Sequence, residues 1–218
     1  MARCGCGTVS CACACALVAG DGITIVGNGS ATDPYTISAD LTQQPSPSEP
    51  LAAVQVVSII RATSQPQTIP SDGQYHVIRF PYDTESYDPY SMHEAVQPDG
   101  YQVVDWKTDD RSGLIWPSKD GWGHLTAVIQ WEAGDYRELR DQFVRDPLSL
   151  TADPVDTTGT DHRPPSPGIQ CFTKHHEIVV HPGAPIALRV GHNATTAKNI
   201  ILAELKLAIF SAGGPDES

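Results

Sequence analysis

With 26 Asp plus Glu against 14 Lys plus Arg, the chain of 218 residues carries a formal charge of −12. An acidic chain without a Lys/Arg cluster does not neutralise phosphate, which excludes nucleic acid as a partner. No apolar run approaches a membrane span, so no membrane insertion is expected, and 18 Gly with 18 Pro and few charges favour a turn-rich all-β protein.

The start, MARCGCG, has no apolar signal core, so nothing in it directs secretion. Residues 1–16 stand apart: Cys4, Cys6, Cys11, Cys13 and Cys15 sit among small residues with too little apolar surface to form a core. Residues 17–42 read as a short β stalk. Ile23 and Ile25 alternate with Thr24 and Val26, Gly27-Asn28-Gly29 supplies a hairpin turn, Asp33-Pro34 starts another turn, and Tyr35-Thr36-Ile37 forms a further strand. Residues 43–50, QQPSPSEP, form a Pro-rich linker that favours extended polyproline conformation.

From Leu51 to Ser211 the pattern is β throughout. Val54, Val56 and Ser58 alternate with Gln55, Val57 and Ile59, and Tyr75, Val77 and Arg79 alternate with His76, Ile78 and Phe80. Asp72-Gly73, Asp99-Gly100 and Asp120-Gly121 read as turns that feed strands. Between Gly113 and Gly134 lies the centre of the chain. Leu125, Ala127, Ile129 and Trp131 take one face; His124, Thr126 and Gln130 take the other, where Val128 interrupts and implies that this second face is covered too. Residues 146–170 read as one long Pro/Asp/Thr-rich loop. Glu177–Val180 and Ile186–Val190 give strands around the turn His181-Pro182-Gly183. Asn199–Phe210 fits a strand by alternation of Ile201, Ala203, Leu205, Leu207 and Ile209, and a strand is expected because its neighbours are all β. Residues 212–218 are a flexible acidic tail.

Residues 55–210 resemble the globular-head superfamily shared by complement subcomponents and tumour necrosis factor, in the form found in bacteria and their phages. The resemblance runs through VVSIIRAT, then an apolar strand followed by Asp83, Glu85, Tyr87, Asp88, Met92 and His93. It continues through LIWPSKDGWGHLTAVIQWE, the Arg-rich YRELRDQFVRD and EIVVHPGAPIALRVGHNAT. Arg145-Asp146 replaces the family's usual Asn-Gly, and the turn at Pro117 and the 146–170 loop are longer. The segment AGDGITIVGNGSATDPYTIS is similar to one common in structural proteins of actinobacterial phages. Together these imply an antiparallel jelly-roll sandwich behind a β-hairpin stalk and a Cys-rich anchor. They imply a non-enzymatic, homotrimeric minor tail or fibre protein made in the host cytoplasm, anchored to other virion proteins through residues 1–42, with a head that contacts a host-surface glycan or protein. A capsid fibre or decoration protein without a receptor role, a bacterial surface adhesin and a polysaccharide-degrading enzyme are the alternatives.

The cysteines carry the sharpest chemistry. On an extended strand Cys11, Cys13 and Cys15 share a face, about 7 Å apart. A disulfide needs Cα atoms roughly 4.4–6.8 Å apart with converging Cβ vectors. Partners are therefore expected on other chains. In a parallel trimer each position forms a ring of three, for interchain disulfides or for zinc or iron held by three thiolates; a reduced tail is the remaining reading. Cys171, beside apolar residues, reads as a buried thiol. His175, His176, His181 and His192 lack metal-ligand spacing and read as surface or loop residues. Asp109-Asp110 are adjacent, so they point apart and read as solvated turn charges rather than an acid/base pair. No Gly-x-Ser-x-Gly or phosphate loop is present. Tyr82, Tyr87, Tyr90 and Trp122 are candidates for sugar or partner contact, or for packing between subunits.

Overall fold

A computed structural model describes residues 23–39, 54–82, 87–152 and 155–211. The five N-terminal cysteines, the linker at 43–50, Asp83, Glu85 and the acidic tail lie outside the described residues. The chain divides into two compact units, Met1–Leu51 and Ala52–Ser218.

The first unit contains one antiparallel hairpin, β1 (Ile23–Val26) against β2 (Thr36–Ala39), with Ile25 opposite Ile37. Gly27 has φ +105°, and a Cβ there would lie 2.2 Å from the Pro34 carbonyl oxygen, so glycine is required. The loop is closed by the Asn28 and Ser30 backbone N–H groups, which donate to Asp33 Oδ2 and Asn28 Oδ1 at 3.1 and 2.9 Å. Ile23, Val26 and Ile37 remain exposed, so this hairpin has no core of its own.

The second unit is all-β, as expected, and antiparallel. Its strands are β3 (Gln55–Arg61), β4 (Gln67–Ile69), β5 (His76–Val77), β6 (Gly121–Trp131), β7 (Leu139–Arg145), β8 (Asp156–Arg163), β9 (Gln170–Val180), β10 (Ile186–His192) and β11 (Lys198–Phe210). One sheet has the order β5-β10-β7-β8; the other has β3-β11-β6-β9, with β4 on the end of β11. Setting β4 aside, the pairs β3/β11, β5/β10, β6/β9 and β7/β8 nest inside one another, which is jelly-roll order. Between the sheets pack Val57, Ile59, Leu125, Ala127, Ile129, Trp131, Leu205 and Leu207 from one side, and Leu139, Phe143, Ile186, Leu188 and Val190 from the other. The inward members of β6 are those that its period of two selects.

Four local expectations change. Residues 146–170 are not one loop: β8 lies inside them and pairs with β7. Its sequence DTTGTDHR shows no apolar alternation because charge anchors this edge strand. Lys174 of β9 places Nζ 2.9 Å from Asp141 Oδ1 on β7 and also bonds Asp161 Oδ2 on β8. Arg163 Nε sits 2.6 Å from Asp141 Oδ2, and its Nη2 lies 3.1 Å from Asp161. The side chains of Lys174 and Asp141 are 1% and 3% exposed. Second, Asp120-Gly121 is not a positive-φ turn like Gly73 and Gly100. Gly121 is the first residue of β6, where a Cβ would meet the Phe210 carbonyl oxygen at 2.3 Å. Third, β11 is a strand, but a bulge between Ile200 and Leu202 changes its phase, so that Ile200 is buried and Ile201 is not. Fourth, the regular part of the 75–80 strand is only β5, although the Ile78 N–H still donates to Leu188 O at 2.9 Å.

His192, expected at the surface, is fully buried. Its Nε2 donates to Ile69 O and its Nδ1 accepts from the Ala194 N–H, both at 3.1 Å, which fixes the neutral Nε2–H tautomer. Trp131 and Tyr136 meet the ring edge-on at 5.3 and 5.8 Å. Burial lowers its pKa below the ordinary value, Lys198 adds to that, and the Ile69 carbonyl opposes it. The unfolded imidazole takes up a proton near pH 6.5 and the folded one resists, so this stabilisation is complete above about pH 6.5 and is lost as pH falls below it. Thermal unfolding of wild type is expected to fall between pH 7 and pH 5, and His192→Gln, which keeps a donor and an acceptor, is expected to flatten that limb. An unchanged slope in the variant would assign the acid sensitivity elsewhere.

Candidate functional site

The site lies on the outward side of the β3-β11-β6-β9 sheet. Strand alternation puts the core residues on one side, so the even-numbered residues of β6 stand on the other. The register then sets them in rows. Phe210, Trp122 and Val179 form the end row; Val56, Ala208, His124 and Glu177 form the next. Ser58, Lys206, Thr126 and His175 make a polar middle row, and Ile60, Glu204, Val128 and Thr173 follow. Leu202, Gln130 and Cys171 complete the face.

The end row is the apolar part. Trp122, Phe210 and Val179 are 42%, 38% and 56% exposed. Trp122 is held in place by its Nε1–H, which donates to Glu177 Oε2 at 3.0 Å. His124 packs on the Phe210 ring at 4.6 Å and sits 3.6 Å from Glu177 Oε1. A shallow hollow of about 340 Å³ opens beside Trp122, Val179 and His181. Val56, Ile60, Val128 and Leu202 are half-buried. In the middle of the face Thr126 Oγ1 and His175 Nδ1 are 3.2 Å apart, and Lys206 Nζ lies 2.8 Å from Glu204 Oε2. An apolar row beside a polar field of paired side chains suits contact with another protein surface.

The other candidates fall elsewhere. Cys171 is exposed rather than buried. It holds an outward position of β9, where only every second residue turns inward, and its apolar neighbour Ile169 is itself exposed. His175 lies on the face, whereas His176 and His181 are half-buried. Among the described residues no group of three or more His, Cys, Asp or Glu is placed to hold a metal ion. Asp109 and Asp110 have separate tasks. Asp109 caps a 3-10 turn over Asp110–Gly113 by accepting from the Arg111 N–H, and it accepts the Tyr101 hydroxyl at 3.0 Å. Asp110 pairs with Arg79 Nε at 2.7 Å. Of the aromatic candidates, Tyr87, Tyr90 and Trp122 are exposed, and Tyr82 stacks on His93 with ring centres 4.6 Å apart. Phe210 and Val179 were not legible as site residues, because an outward apolar residue at a strand end differs in no local way from an inward one.

No family model and no curated protein matches the chain. Solved structures to which it is similar include the tumour necrosis factor Eiger from S. frugiperda, 11% identical, covering 76% of this chain and 98% of that one with a TM-score of 0.44. They also include the globular domain of zebrafish complement 1qA, at 10% identity, 72% and 96% coverage and a TM-score of 0.44. Murine APRIL is similar at 9% identity, 72% and 99% coverage and the same score. By its own nested strand order, the second unit of this chain is an antiparallel jelly roll.

Proposed function

We propose that the chain is a non-enzymatic structural protein of a phage particle. It is a homotrimer, attached to other virion proteins through residues 1–42, and its jelly-roll head contacts the host surface. The observation that carries the reading is the end row of the sheet face, Phe210-Trp122-Val179, which a single chain leaves in water. Three chains packed through this face would remove it from solvent, at roughly 25 cal/mol per Å² of apolar area. The hairpin of β1 and β2 supports the same reading, because among the described residues its Ile23, Val26 and Ile37 are exposed and two strands alone are marginally stable. Rings of Cys4, Cys6, Cys11, Cys13 and Cys15 would then link the chains at their start, by disulfides or through a metal. The phage setting draws its support from the resemblance of AGDGITIVGNGSATDPYTIS to phage structural segments.

Light scattering on the purified chain at micromolar concentration is expected to give the mass of three chains, and antibody labelling of intact particles to mark the tail. A stable monomer overturns the trimer, and unlabelled particles overturn the virion assignment.

A further inference from the structure

A pocket of about 450 Å³ opens between the β3–β4 turn and the loop that leads into the 3-10 turn at Asp110. Its walls carry Arg61, Ser64, Gln65, Arg79, Trp106 and Lys107. Three cations meet here on a chain of net charge −12. Arg79 has its own counter-charge in Asp110, and its Nη1 donates to Lys107 O at 2.8 Å. Asp105, beside the pocket, is engaged by the Lys107 N–H at 3.0 Å and the Thr108 hydroxyl at 2.9 Å.

Arg61 differs from both. It is 3% exposed, and its two Nη groups donate to backbone carbonyls, Arg79 O at 2.6 Å and Pro66 O at 3.0 Å. Its Nε is buried with no hydrogen-bond partner. Among the described residues no carboxylate pairs with it; the charge that acts on it is the like charge of Arg79. Burial, and then Arg79, pull its pKa down to about 10, so it stays cationic at neutral pH. Its guanidinium lies 4.9 Å over the Trp106 ring, and Lys107 Nζ lies 5.9 Å from that ring.

Buried charges in proteins are almost always paired, because an unpaired one is heavily penalised by desolvation. A guanidinium left without a counter-ion at the wall of an open pocket therefore points to an anion supplied from outside. The surroundings narrow its class. The positive charge of Arg61, fixed in place by the Arg79 and Pro66 carbonyls, and the ammonium of Lys107 suit an oxyanion. Trp106 offers a flat apolar wall, and Ser64 and Gln65 offer hydroxyl and amide groups for neutral polar atoms. The volume suits a small ligand rather than a polymer chain lying flat. We propose that this pocket binds an acidic saccharide: the carboxylate is held between Arg61 and Lys107, and the sugar ring lies against Trp106. The biological source of the sugar rests on the host-contact reading above, whereas the binding itself does not.

The test is calorimetric titration of the intact protein with D-glucuronate, with D-glucose and with sulfate, at constant ionic strength. Glucuronate is expected to bind and glucose to give no heat. Lys107→Gln, at an exposed position that cannot compromise the core, is expected to weaken glucuronate binding about tenfold, the loss of one charge-assisted contact. Arg61→Lys keeps the charge but loses the paired bonds to Arg79 O and Pro66 O that hold it at the pocket wall, and is expected to weaken it at least as much. No heat from glucuronate at tens of millimolar overturns the proposal, as does binding unchanged in Lys107→Gln, even if Arg61→Lys fails to fold. Sulfate binding without glucuronate binding would leave an anion site and overturn the saccharide. Because the titration reads the pocket alone, while scattering and particle labelling read the trimer and its location, either result can fail without the other.

Discussion

Asp141→Ala is expected to destabilise the head by about 3–5 kcal/mol, the usual cost of breaking a buried ion pair by removing one partner. The carboxylate of Asp141 lies between Lys174 Nζ at 2.9 Å and Arg163 Nε at 2.6 Å, in a place where its side chain is 3% and that of Lys174 1% exposed. Alanine removes one anion and leaves two cations to share Asp161, whose side chain is 47% exposed and partly solvated. The side chain of Lys174 is 1% exposed, with its ammonium 5.5 Å over the Phe143 ring, so water does not take the place of the lost carboxylate without displacing packed groups. The effect reaches three strands, since β7, β8 and β9 each contribute a member of the network. For a domain of this size the loss corresponds to roughly 6–20 °C in Tm. Denaturant melts of wild type and variant measure it directly. A loss below about 1 kcal/mol would mean that water enters the network and screens it as it screens surface pairs.

Trp122→Glu is expected to turn the proposed trimer into monomers at micromolar concentration while the fold survives. The substitution puts a carboxylate in the row Phe210-Trp122-Val179, next to Glu177, with which Trp122 now shares a hydrogen bond. A central aromatic lost from an interface costs roughly 2–4 kcal/mol, and desolvating a new charge beside an existing one adds to that. Folding of the single chain is little affected, because Trp122 points away from the core and is 42% exposed. Sedimentation or light scattering should therefore show one chain, with an unchanged circular dichroism spectrum. Val104→Glu, at a loop position 92% exposed, is the matched control and should keep the wild-type mass. A trimeric Trp122→Glu variant would move the subunit contact off this face.

What the sequence disclosed follows from where apolar side chains alternate. β6 could be read residue by residue, since Leu125, Ala127, Ile129 and Trp131 are the positions that face the core. β11 was legible as a strand but not in phase at its start, because a bulge leaves no trace in a run as apolar as Ile200-Ile201-Leu202. β8 was not legible at all. Its anchors Asp161 and Arg163 look like loop charges until Asp141 and Lys174 arrive from two other strands. His192 was missed for a related reason: its burial depends on Trp131, Tyr136 and the Ile69 carbonyl, all distant in sequence. The cationic pocket draws on Arg61, Arg79, Trp106 and Lys107, which share no local pattern. Chain reversals across two sheets bring them together.

The position of β11 has a consequence for how the protein is made. This strand, Lys198–Phe210, lies between β3 and β6 and also carries β4. Three strands synthesised earlier thus have no common partner until it emerges from the ribosome. Until then β3 and β6 expose the edges that β11 will pair with, so the growing head cannot close strand by strand. Folding must wait for Phe210 and then join contacts far apart in sequence, which is slow and leaves the nascent chain open to mispairing. A premature stop before Lys198 would therefore yield an aggregating chain rather than a shortened head.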